Sequence, residues 1–353
     1  MPSLAKGRGG PEKTIALGQL GDLGRVDMVG VQSVELVLCV GAHRTATTSF
    51  HNFLIQNLNA LRAEKLAFVG TNDTRAGLFT GMMCHPDFST SEQDRRVHRA
   101  CGLTRLMLAE KQRDGFEQIL LSEPNLLGNI AENVTTGYLY PHAKARLMRA
   151  RNGFIPNLKR ITLSIRSYDT WWASQLAVSV AAGHSLPSEA TLDRLITQPR
   201  RWKTLIEDIK AVFPGAEIMV LPYERVSTQP ERVLALLTGV CIPDGIRAAR
   251  EVHAMAPTQK YLRDVVKDRG ETPQNSKIFD DGMGSWMPFP TWHSEALKEA
   301  YAEDLAWLRE QDGSGLTFID DHEHALGWDE DLRGQDYGFK EEYSAARGVG
   351  TTG

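Results

Sequence analysis

Cysteine is scarce in this chain. Its 353 residues hold four, Cys39, Cys84, Cys101 and Cys241, scattered and without a Cys-x-x-Cys pair. That argues against a disulfide framework or a zinc site and suits small apolar fillers in a reducing compartment. Long apolar runs are missing as well, and no stretch approaches the length of a membrane span. Nor is charge of one sign in excess. Forty Lys and Arg stand against 44 Asp and Glu, a net charge of −4, so no strong global field points to nucleic acid or a membrane surface. Internal repeats and low-complexity linkers are lacking, so one domain over residues 33–328 is the simplest count. Residues 1–32 are rich in Gly and charge and lack an apolar signal core, which reads as a flexible leader of a cytoplasmic protein. Residues 329–353 read as a loose tail. Oligomeric state leaves no mark in the pattern.

What is present centres on Val34 to Leu54, VELVLCVGAHRTATTSFHNFL. Val34 to Val40 is a short apolar run with no helical period, suited to a strand buried on both faces. Gly41 to Ser49 is small and polar. Phe50, Phe53, Leu54 and Leu58 then recur at helical spacing. Strand, small-residue loop and helix make a cradle for an anion, because the helix N-terminus offers unpaired N–H groups and a favourable dipole. Against the phosphate-loop pattern G-x-x-x-x-G-K-[ST], Gly41 and Thr48 fit the ends. Ala46 stands for the second Gly and Thr47 for the Lys, while the basic residue sits inside the loop as Arg44. An NTPase needs that Lys at the terminal phosphates, so the loop suits ATP or GTP poorly.

Further strands are expected at Leu66–Val69, Gln118–Leu121, Arg160–Arg166 and Glu217–Leu221, with helices between them. Helices are expected over 94–113, 138–151 and 169–181. One more should run from Ser188 or Thr191 through Trp202 to Val212. Thr71 to Ser91 reads as loop. Thr228 to Glu231 reads as a capping-box start with Gly239 as its stop, and 294–310 as an amphipathic helix. Strands alternating with helices give an α/β three-layer sandwich around a mostly parallel sheet. Glu123, followed by Pro124, then falls at the carboxyl end of a parallel strand, where such sheets take ligands.

The arrangement G-x-x-[RK]-[ST]-x-[ST]-[ST] at Gly41 to Thr48 resembles the 5′-phosphosulfate loop of sulfotransferases, enzymes that use 3′-phosphoadenosine 5′-phosphosulfate (PAPS) on a P-loop NTPase-like fold. Arg166 and Ser174, eight residues apart, resemble that family's 3′-phosphate pair. The Pro and Lys usual between them are replaced by Ser167 and Tyr168, and Asp169 is kept. The segment from Glu217 to Val240 resembles its strand, Tyr-Glu and Pro-started helix. The likeness covers about Val34 to Val240, and the family's late Gly-x-x-Gly-x-x-Lys element is not found.

The resemblance implies transfer of a sulfuryl group from PAPS to a hydroxyl or amine of a small-molecule or glycan acceptor, without a metal. It implies nucleotide contacts from Gly41, Arg44, Thr45, Ala46, Thr47, Thr48, Arg166 and Ser174, with Tyr223 beside the adenine. Charge growing on the leaving oxygen would be met by loop N–H groups, Arg44, Thr47 and Thr48. Glu123 is the first candidate for the general base and His43 the second, with His85 and His142 weaker. Trp286 and Trp292 could stack on a sugar or aromatic ring. Two rival readings stay open. One is a nucleotide kinase or NTPase with Glu123 on magnesium, and the other a non-catalytic nucleotide-binding protein.

Overall fold

The computed structural model describes residues 33–320 apart from 89, 243–251, 253–254, 272–278, 280–283 and 312. The leader expected over 1–32 and the tail expected over 329–353 lie outside the described residues. Six strands form one all-parallel sheet: β1 (Glu35–Cys39), β2 (Leu66–Val69), β3 (Gln118–Ser122), β4 (Leu158–Ile165), β5 (Glu217–Pro222) and β6 (Leu316–Phe318). Their order is β2-β3-β1-β4-β5-β6, with helices on both faces, a three-layer α/β sandwich. Among the described residues no helix is long and apolar enough to cross a membrane.

The unbroken apolar run at β1 follows from its central position. Leu36 and Leu38 face one layer, with Ile161, Trp171 and Trp172. Val37 and Cys39 face the other, with Phe53, Leu54 and Leu120. Period-two alternation therefore buries both sets. The helix after β1 (Thr47–Gln56) packs in the second layer, and the helix after β4 (Tyr168–Ala181) in the first. β1 and β4 are neighbours, so their connections leave to opposite faces and open a crevice at the carboxyl edge, where α/β sheets take ligands.

Several expectations change in detail. The helix expected to run to Val212 is two helices, Glu189–Thr197 capped by Ser188, and Trp202–Val212. Pro199 lies between them, and its missing N–H and fixed ring end the ladder. The helix expected over 138–151 is shortened to Ala143–Ala150, because Tyr140 takes a positive φ of 46°. The segment read as loop from Thr71 to Ser91 contains short helical turns at Thr71–Asp73, Thr74–Leu78 and Pro86–Phe88. The helix near Thr228 starts instead with Gln229 as N-cap and Pro230 in its first turn, and Gly239 ends it at φ 75°. β6 was not read from the sequence.

Trp171 and Trp202 are fully buried and meet edge to face, with centroids 5.2 Å apart. Removing such a ring costs about 3–5 kcal/mol, a large part of an ordinary domain's stability. Trp171 also donates its indole N–H to the His43 carbonyl at 2.9 Å. The core therefore holds the loop after β1 directly.

Candidate nucleotide site at the carboxyl edge of the sheet

The loop from Gly41 to Ala46 turns sharply through left-handed backbone. Gly41 has φ 97°, and a Cβ there would stand 3.1 Å from Pro124 Cβ, so Gly suits this close approach. Arg44 and Ala46 also have positive φ, 65° and 62°, which costs each of them energy. Ala46 is thus in the conformation that the second Gly of a phosphate loop provides, and it is the N-cap of Thr47–Gln56. Neighbours hold the loop in that shape. Ala42 N–H donates to the Ser164 carbonyl at 2.9 Å, and the Thr45 hydroxyl donates to the Ala42 carbonyl at 2.6 Å. Thr47 and Thr48 begin the helix, where the first-turn N–H groups lack intrahelical acceptors.

Two arginines and a serine meet beside this turn. Arg44 Nε donates to Ser174 Oγ at 2.8 Å. Arg166 Nη1 donates to the Arg44 carbonyl at 3.0 Å, and its Nε to Thr170 Oγ1 at 3.0 Å. The Arg166 guanidinium also lies 4.4 Å from the centre of the Tyr223 ring, a cation–π distance. So Arg44, Arg166, Ser174 and Tyr223 are brought together. Ser174, however, bonds to the loop arginine and not to Arg166. Thr170, four residues after Arg166 in the first helical turn, takes that position. Its i, i+4 spacing was legible but was passed over in the sequence.

A cavity of about 260 Å³ opens next to the loop, lined among others by Gly41, Thr47, Ser122, Thr162 and Tyr223. Tyr223 joins the two features, since it lines the cavity and carries Arg166 on its ring. Cys39 also lines the cavity. Burial pushes its thiol up to about 12, which keeps it unreactive.

Glu123 follows β3 and is fully buried. Its carboxylate accepts from Thr74 Oγ1 at 2.5 Å, from Arg75 Nε and Nη2 at 3.1 and 2.9 Å, and from Asn125 N–H at 3.0 Å. Arg75 is half exposed and closes over it. His43 is tied to the same corner. Its Nε2 lies 2.9 Å from Asn125 Oδ1, so Nε2 carries the proton, and Nδ1 accepts from the Tyr140 hydroxyl at 2.9 Å. Burial lowers the His43 pKa, partly offset by the Asn125 bond and the Glu123 charge. The ring is therefore neutral, with both nitrogens engaged. Thr74, Arg75 and Asn125 were missed by sequence reading, since each arrives from a segment without a periodic pattern, and Tyr140 was missed because it was read as part of a helix.

The other candidates fall elsewhere. His85 and His142 lie together against Glu132. Trp286 is buried in the core and Trp292 is 62% exposed.

His51, on the first helix, meets Ser122 Oγ at 2.7 Å through Nε2. Burial lowers its pKa to about 4. A depressed imidazole pKa favours the fold at high pH, because protonation is easier in the unfolded chain. Stability from this group is complete above about pH 6.5 and drains as pH falls toward 4. Thermal unfolding across that window should show Tm dropping, and His51→Gln should remove part of the slope. An unchanged slope in the variant would contradict the assignment.

No protein-family model matches the chain, and no curated protein matches it.

Proposed function

We propose that this protein is a PAPS-dependent sulfotransferase that moves a sulfuryl group to a hydroxyl or amine of a small acceptor. The observation that carries the reading is the meeting of Arg44, Ser174, Arg166 and Tyr223 around a strand-to-helix turn without a lysine. A guanidinium fork and a hydroxyl suit a phosphate, and an aromatic ring that lines a cavity suits an adenine. The turn's N–H groups and Arg44 can take the charge that develops on the leaving phosphate oxygen. A sulfuryl group carries less charge than a terminal phosphoryl group, so this design calls for no magnesium.

The acceptor's proton is the remaining need. Glu123 is the proton acceptor in this reading, and Arg75, half exposed, must withdraw when the acceptor arrives. His43 has no free nitrogen and serves to position the loop. The kinase reading, in which Glu123 would hold magnesium, lacks the loop lysine that reaches terminal phosphates, since Thr47 stands at that position.

Arg166→Ala tests the donor site. It should weaken adenosine 3′,5′-bisphosphate by about 10–100-fold, the loss of one charged hydrogen-bonding group, and adenosine 5′-phosphate much less. Calorimetric titration of both ligands measures this. Equal losses would remove the 3′-phosphate assignment.

A further inference from the structure

A second constellation lies apart from the proposed donor site. His85, Glu132 and His142 come from three separate segments and converge on one carboxylate oxygen. His85 Nε2 is 3.2 Å and His142 Nε2 4.0 Å from Glu132 Oε1, and the two rings stand edge to face with centroids 4.4 Å apart. All three donor atoms lie within 4.8 Å of one another. In a tetrahedral zinc site with bonds near 2.1 Å, neighbouring ligand atoms are about 3.4 Å apart. The observed distances to Oε1 bracket that edge.

Neutralising Glu132 does not call for two imidazoles. Arg146, almost fully buried, already donates through Nη2 to both of its oxygens at 3.1 and 3.2 Å. Arg146 is itself fixed by the carbonyls of Met83 and Cys84. Such an outer partner orients a ligating carboxylate, and Oε2 can keep Arg146 while Oε1 takes an ion. Asn129 caps the helix carrying Glu132, accepting from Glu132 N–H at 2.8 Å, so the ligand's backbone is also set.

We propose that His85, Glu132 and His142 bind one zinc-class divalent cation, with a fourth position open to water or a ligand. Two imidazoles and a carboxylate suit zinc among the borderline divalent ions. The scattered cysteines argue only against a thiolate site. Ligation has a local cost. Asp87 N–H now donates to His85 Nδ1 at 3.2 Å, so the proton of that ring is on Nε2. Binding at Nε2 moves the proton to Nδ1 and opens the Asp87 contact within the short Pro86–Phe88 turn. The ion would then tie the segment that carries Thr74 and Arg75 to the helix Ile130–Thr136 and the turn after it. That segment holds Glu123, so occupancy of the cation site stiffens one wall of the carboxyl-edge corner. The cation site stands whether or not the donor reading does.

The test is calorimetric titration of the metal-stripped full chain with zinc chloride, alongside the His85→Ala/His142→Ala double variant. One equivalent should bind, and the double variant should lose at least a hundredfold in affinity. Cobalt(II) added to the unaltered protein gives a readout independent of any variant. Intense visible bands of four- or five-coordinate cobalt are expected, without a thiolate charge-transfer band. Amide exchange across 74–88 should slow on zinc addition. The absence of saturable binding, binding that survives in the double variant, or a weak six-coordinate cobalt spectrum would each overturn the site.

Discussion

Glu123→Gln should cut turnover with PAPS by about 10²–10⁴-fold, the usual contribution of a general base, and leave adenosine 3′,5′-bisphosphate binding unchanged. The substitution keeps the side chain's shape and its oxygen for Asn125 N–H, and it removes the charge. Turnover is read as bisphosphate release, with an acceptor found by a PAPS-dependent screen of sugars, phenols, amines and lipids. The bond pattern around Glu123 supplies the control. If the carboxylate only anchored Arg75, then Arg75→Ala would copy the loss. If Glu123 takes the proton, Arg75→Ala keeps most of the turnover, and its main cost is stability. That cost is about 1–3 kcal/mol for a buried acceptor left short of a donor, and lower where water replaces the half-exposed guanidinium. Turnover near wild type in Glu123→Gln would remove the base assignment.

Arg44→Ala should lower kcat/KM by about 10²–10³-fold, as for loss of one preorganised donor at a developing oxyanion. Arg44→Lys should not restore it. The bond to Ser174 comes from Nε, a donor along the side of the guanidinium that fixes the group's plane beside the turn. A lysine is a point charge with no side donor, so it would release Ser174 or miss the anion. Ser174→Ala should be milder, because the guanidinium keeps its charge and most of its donors. Steady-state kinetics of the three variants decide this. A wild-type rate in Arg44→Lys would show that the loop needs only positive charge.

Legibility in the sequence followed how local each signal was. The run from Val34 to Val40 could be read as a buried strand because it is short, apolar and without a helical period. Glu123 could be read as a strand-end residue because Pro124 cannot continue a ladder. Arg44, Arg166, Ser174 and Tyr223 were each legible through the resemblance to the sulfotransferase motifs, and the structure gathers them. Their pairing was not legible. The φ of 65° at Arg44 turns its side chain to Ser174, and nothing in the residue string announces that angle. Arg75 reaches Glu123 across 48 positions from a segment without apolar period, so no local pattern could reveal the pair. β6 has three residues, too short for alternation to register. The convergence of His85, Glu132 and His142 is a product of chain folding, not of a motif.

Direct titration of adenosine 3′,5′-bisphosphate against ATP with magnesium, on the full chain, goes to the central claim that the turn after β1 holds a sulfonated-nucleotide donor. The bisphosphate should bind one to one and at least about tenfold more tightly than ATP with magnesium, a difference near 1.4 kcal/mol. Tighter binding of ATP with magnesium, or no binding of the bisphosphate, would contradict it.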